Sequence, residues 1–140
     1  MTIVFHRGAM AEFHALLPVL RGLEGALTVV APWDQAGLAA QSIGASPMDI
    51  EMFEFTRLHA EGGPSRLSPA VADLFRQAVL ILSYISSGQD PWASNVARLA
   101  PQAQVLCLAT ESIREHSAER LARAIRQSGV RIEPIDTDSK

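Results

Sequence analysis

The feature that most limits what this chain can become is an alternation. Short apolar runs, rich in β-branched residues, are separated by longer stretches with apolar residues every three or four positions. Runs of the first kind suit buried strands and stretches of the second suit amphipathic helices. Thr2-Ile3-Val4-Phe5 opens the series. Residues 12–23 follow as a helix, with Phe13, Leu16, Leu17, Leu20 and Leu23 on one face and Pro18 expected to kink it or delay its start. Residues 26–31 form the second strand. Asp34 is the expected cap of a helix reaching residue 41, closed by Gly44. A weak third strand covers residues 47–50.

Residues 51–67 are the least regular part and read as a long functional loop. Ser68-Pro69 then gives a capping serine with proline at the first helical position, and that helix runs to residue 77. Residues 78–83, Ala-Val-Leu-Ile-Leu-Ser, are apolar at both odd and even positions, as expected of a central parallel strand covered on both faces. Leu80 and Leu82 are expected to be buried, one on each face. Asp90-Pro91 repeats the cap-then-proline start for a helix to residue 99. Residues 104–108 form a further strand, 117–128 a helix, and 130–132 a last short strand before a polar tail at 136–140.

Strictly alternating strands and helices imply a mostly parallel sheet with right-handed crossovers and helices on both faces. The expected fold is therefore a single Rossmann-like three-layer α/β domain over residues 1–135, with strand order 3-2-1-4-5-6 or a near variant. The 140 residues suit one domain, and a 48% hydrophobic share is enough to fill its core. A net charge of −3 leaves no basic surplus for a phosphate backbone, so nucleic acid is not an expected partner. One cysteine, Cys107, excludes an intrachain disulfide and fits a reducing compartment. No apolar stretch approaches the ~20 residues of a membrane span, and nothing resembles a secretory leader. A soluble, cytoplasmic protein is the expectation.

In an open parallel sheet, ligands bind beyond the carboxyl ends of the strands, where the strand order reverses. For this order the crevice lies between the first and fourth strands. His6, Arg7 and Gly8 in the first loop offer two potential cations and a permissive backbone ahead of a helix N-terminus. Ser86, Ser87 and Gly88 in the second loop offer hydroxyls and backbone N–H groups. The same residues also suit plain turns, which every parallel sheet needs at these places. Glu12 suits a helix N-terminus through the helix dipole alone. His14, His59 and His116 read as isolated polar residues, and Cys107 as core. There is no G-x-G-x-x-G after the first strand, no phosphate-binding P-loop, no zinc-ligand spacing and no G-x-S-x-G. No cofactor or metal is implied.

The segment Ile3-Val4-Phe5-His6-Arg7-Gly8-Ala9-Met10-Ala11-Glu12-Phe13, followed by Leu17-Pro18-Val19-Leu20, resembles the N-terminus of the heptosyltransferase-like glycosyltransferases, family 9, with a two-domain type B fold. There an apolar strand leads into a loop of the form R-G-A-L-G-D, and a leucine-proline pair follows the aspartate by five and six residues. Residues 27–31, residues 79–86 and Asp90-Pro91-Trp92 look similar to the second strand, the fourth strand and its loop. The resemblance implies an N-terminal domain that binds an acceptor sugar or sugar phosphate. It also implies a catalytic base at Glu12, where the family has aspartate, and Ala11 stands where the family has glycine. A separate half of the family enzyme binds the nucleotide-sugar donor.

The expectation is thus an acceptor-binding half that is incomplete alone and works with a donor-binding partner or as a homodimer. The rival expectations are a non-catalytic binding or assembly module descended from such a domain, and a small nucleotide or anion binder of flavodoxin-like shape. Trp33, Phe53, Phe55 and Trp92 lie in or beside expected loops, so some are expected to be exposed at an interface.

Overall fold

The computed structural model describes residues 1–7, 10–23, 25–63, 67–86 and 88–107, without the side chains of Glu12 and Ala15. The expected helix at 117–128, the strand at 130–132, the tail and His116 lie outside the described residues, as do Gly8 and Ser87.

Strands β1 (Thr2–Phe5), β2 (Leu27–Ala31), β3 (Ser46–Asp49), β4 (Leu80–Ser83) and β5 (Gln104–Cys107) form a five-stranded sheet in the order β3-β2-β1-β4-β5. Every pairing is parallel. This is a Rossmann-like α/β arrangement, with the order of the chain reversing at β1 as expected. Thr2 lies opposite Leu27 on one side and Leu80 on the other, and Phe5 lies opposite Val30 and Ser83. β1 and β4 are buried along their whole length.

The strands' two faces carry different side chains. Helices α1 (Met10–Arg21) and α2 (Trp33–Ile43) cover one face, where Val4, Val29, Leu80 and Leu82 pack against Phe13, Leu16, Leu20, Ala36 and Ala39. Helices α4 (Pro69–Gln77) and α5 (Pro91–Leu99) cover the other, with Ile3, Phe5, Val30 and Ile81 against Val71, Phe75, Trp92 and Val96. Leu80 and Leu82 are both fully buried, but they share a face. Side chains two apart on a strand point the same way. Ile81 supplies the opposite face. The second face is aromatic at its centre. Phe5 sits 5.1 Å from Trp92 and 5.7 Å from Phe55 in edge-on contacts, and 6.4 Å from Phe75 in a stacked one.

Local sequence explains most element ends. Ser68 accepts from the Val71 N–H and Asp90 from the Ala93 N–H, each with proline next in the chain. Gly44 closes α2 with φ at +72°, a left-handed conformation that glycine adopts without steric cost. Three expectations need correction. α1 starts at Met10 and contains Pro18. The carbonyl four residues back belongs to His14, and both residues face solvent, so water can satisfy the acceptor that proline leaves unpaired. Asp34 is not the cap of α2: Pro32 holds that position, and Asp34 lies in the first turn, where its charge complements the helix dipole. Residues 51–67 are not a plain loop. They contain the short helix α3 (Phe53–Thr56) and a 3₁₀ turn (Arg57–His59), anchored by buried Phe55 and Leu58.

Candidate functional site at the strand ends

The reversal of strand order has a geometric consequence. Helices leave β1 toward one face and β4 toward the other, so the space beyond their carboxyl ends stays open. A cavity of about 390 Å³ occupies this end of the sheet, lined by Arg7, Ile50, Thr56, His59, Tyr84 and Ile85. That volume lies within the usual range for small-molecule sites. Arg7 follows β1. Tyr84 and Ile85 follow β4, and the Tyr84 N–H donates to the Phe5 carbonyl at 2.9 Å. Ile50 follows β3 and donates to Ala31. Thr56 and His59 come from α3 and the 3₁₀ turn.

Arg7 has a side chain 54% exposed and forms an ion pair with Glu51, itself exposed. Exposed pairs of this kind contribute little to stability, so the guanidinium is free to exchange its carboxylate for another anion. His6 behaves differently. It is 1% exposed and does not line the cavity. Its Nδ1 donates to the Gln35 Oε1 at 2.8 Å, and its ring packs 5.2 Å from Phe13 and 5.7 Å from Tyr84. The imidazole expected to be a surface cation instead links β1 to α2 inside the core.

The loop after β4 is also committed to itself. Ser86 is buried, donates to Asp90 Oδ1 at 2.6 Å and accepts from the Gly88 N–H at 3.1 Å. The same Asp90 oxygen accepts from Ala93 at 3.1 Å. Gly88 has φ at +93°, and a Cβ there would also meet the Cys107 Cβ at 3.5 Å, which makes its glycine a backbone requirement. Burial raises the Asp90 carboxyl, but the Ser86 hydroxyl, the Ala93 and Asp90 backbone N–H groups and the charge of nearby His59 together hold it below its ordinary value. The half-buried Cys107 thiol is pushed up, mainly by burial and further by the Asp90 charge, against a lowering contact from Ser86. It is a weak nucleophile at neutral pH. Among the described residues no group of three or more His, Cys, Asp or Glu side chains could hold a metal ion, and no helix is long and apolar enough to cross a membrane.

Of the residues expected at the site, Arg7 lines the cavity, while His6 and Ser86 are buried beside it. Gly88 shapes the loop after β4. Gly8, Ser87 and the Glu12 side chain lie outside the described residues, and the Glu12 backbone is in the first turn of α1. Thr56, Tyr84 and His59 are the polar wall residues that sequence reasoning missed. No motif marks His59, because the residues that fix it lie far along the chain. Asn95 on α5 is 3% exposed, and its Nδ2 donates to the carbonyls of Leu58 at 2.8 Å and Ala60 at 2.9 Å. Those are the two residues flanking His59. Arg98 in turn donates to the Asn95 Oδ1.

No family model, no curated protein and no solved structure matches this chain.

Proposed function

We propose that this chain is the acceptor-binding domain of a heptosyltransferase-like glycosyltransferase and that it holds a sugar phosphate in the cavity beyond β1 and β4. The observation that carries the reading is Arg7. It is an exposed, weakly engaged cation on the wall of a cavity of ligand size, at the switch point of a parallel sheet. Guanidinium recognises phosphate oxygens bidentately. Ile50 and Ile85 cover the carbon skeleton of a sugar, and the Tyr84 and Thr56 hydroxyls suit its hydroxyl groups.

In this reading Glu12 is the general base. It takes the proton from the acceptor hydroxyl as that oxygen attacks the anomeric carbon of a nucleotide sugar. The bond from that carbon to the leaving nucleoside diphosphate breaks, and the diphosphate departs with the electron pair. Another domain or chain binds the donor. Calorimetry with a panel of sugar phosphates tests the reading. Binding is expected to weaken with added salt, because screening shortens the reach of an exposed cation. Arg7→Ala is expected to reduce binding. Glu12→Gln is expected to keep binding and abolish transfer once a donor-side partner is supplied. No binding across the panel would overturn the proposal.

A second reading, an assembly module, draws on a different observation. Trp33 is 61% exposed and Phe53 73% exposed, whereas Phe55 and Trp92 are core residues. Trp33 borders a shallow groove with Met10, His14 and Leu38 between α1 and α2. Exposed large apolar side chains often mark interfaces. Sedimentation at micromolar concentration separates the readings: a clean monomer that binds sugar phosphate supports the first, and self-association lost in Trp33→Ser without sugar-phosphate binding supports the second.

A further inference from the structure

His59 sits on an exposed 3₁₀ turn, a place where a side chain would ordinarily be loosely held. Here the turn is fastened on both sides of the histidine. The Asn95 amide donates to the carbonyls of Leu58 and Ala60, and the Asn95 oxygen accepts from Arg98. Leu58 is fully buried beneath. Gly63, which follows the turn, lies against the Asn95 side chain: a Cβ at that position would be 2.9 Å from Asn95 Cγ, and its φ of +67° favours glycine independently. A buried amide, a flexible backbone residue and an arginine all serve one short turn. What that turn presents to the cavity is the His59 imidazole and, just before it, Thr56.

We propose that His59 is the second phosphate-contacting residue of the cavity, acting with Arg7 on a phosphomonoester, and that Asn95 is the residue that positions it; this rests on the sugar-phosphate reading above. A ring N–H of His59 donates to one phosphate oxygen while the Arg7 guanidinium takes the others. The physical gain is preorganisation. Ordering a loop on binding lowers affinity, and here the ordering is completed during folding by two backbone hydrogen bonds from a buried side chain. Asp90, whose charge interacts with His59, belongs to the closed network of the β4 loop.

The test is titration of the full chain with glucose 6-phosphate, with inorganic phosphate as a second probe, followed by calorimetry and by the ring signals of His59 and His14. His14 serves as the control, because it lies in the groove between α1 and α2 and not in the cavity. In the wild type the His59 ring signals are expected to shift on titration and those of His14 to stay. His59→Gln, an exposed change, is expected to weaken binding about tenfold, the share of one charge-assisted hydrogen bond. Asn95→Asp keeps the shape but removes both donors, and is expected to weaken binding by a similar factor and to abolish the His59 shift. If Asn95→Asp does not fold, Asn95→Ala decides, because it removes the same two donors to Leu58 and Ala60 without burying a charge. Binding that is lost in Arg7→Ala but unchanged in His59→Gln would overturn this proposal and leave the acceptor reading standing. Normal His59 shifts in a folded Asn95→Asp, or in a folded Asn95→Ala, would remove the positioning role. Absence of any binding by the wild type would remove both proposals together.

Discussion

The two loops that flank the switch point start from neighbouring, parallel strands, yet they end in opposite states. The loop after β4 uses its polar groups on itself: Ser86 bonds to Asp90 and Gly88, and Asp90 caps α5. After β1, His6 turns inward to Gln35 while Arg7 reaches out to an exposed partner, Glu51. Position at the carboxyl end of a strand therefore does not by itself make a binding residue. The difference lies in whether a polar group's hydrogen-bonding capacity is met by the protein. On that criterion Ser86, Gly88 and Asp90 of the β4 loop form a frame and Arg7 is a contact.

The largest expected effect that would break this comparison is at Asp90. Asp90→Ala removes a helix cap and leaves the buried Ser86 hydroxyl without its acceptor. A loss of about 2 kcal/mol in chemical denaturation is expected, with ligand binding changed far less than by Arg7→Ala. A loss below ~0.5 kcal/mol would show that the β4 loop is not a frame. A smaller effect should appear in acid. The folded Asp90 carboxyl lies below its ordinary value, so the unfolded chain takes up the proton first as pH falls. The carboxylate's contribution is complete above the ordinary aspartate value of about 3.9 and is lost as pH drops through the folded one. Asp90→Asn keeps an acceptor for Ser86 and Ala93, so it should cost little at pH 7 and flatten the stability profile below about pH 4; an unchanged acid profile would count against the assignment. The smallest effect is expected at Arg7. Arg7→Ala should shift stability by no more than about 0.5 kcal/mol, and a larger loss would make Arg7 part of the frame too.

The sheet was legible in the sequence because its signals are local. Residues 80–82 are apolar at both parities since β4 has a partner strand on each side and helices over both faces, whereas the strand expected from residue 78 starts at Leu80: Ala78 caps α4 and Val79 is exposed. Ser68-Pro69 and Asp90-Pro91 act within one turn, so they were readable without the fold. β3 was faint for a physical reason: it is an edge strand containing Pro47, a residue edges tolerate. The fates of Phe55 and Trp92 were not legible, because both are buried by contact with Phe5, far away in sequence. The site was less legible still. Arg7 follows a recognisable strand, but His6 was misjudged because its partner, Gln35, belongs to another helix. His59 looked isolated because Asn95, which holds the turn beneath it, comes from α5.

The place of β1 in the sheet has a consequence for biosynthesis. Thr2 pairs with Leu27 soon after it emerges from the ribosome, but its other neighbour, Leu80, is made much later. During that interval one edge of a strand that ends fully buried has donors and acceptors with no ladder to join, the condition that invites pairing with another nascent chain. Slow translation between β2 and β4 would lengthen that exposure, and a holdase bound near the N-terminus would shorten it.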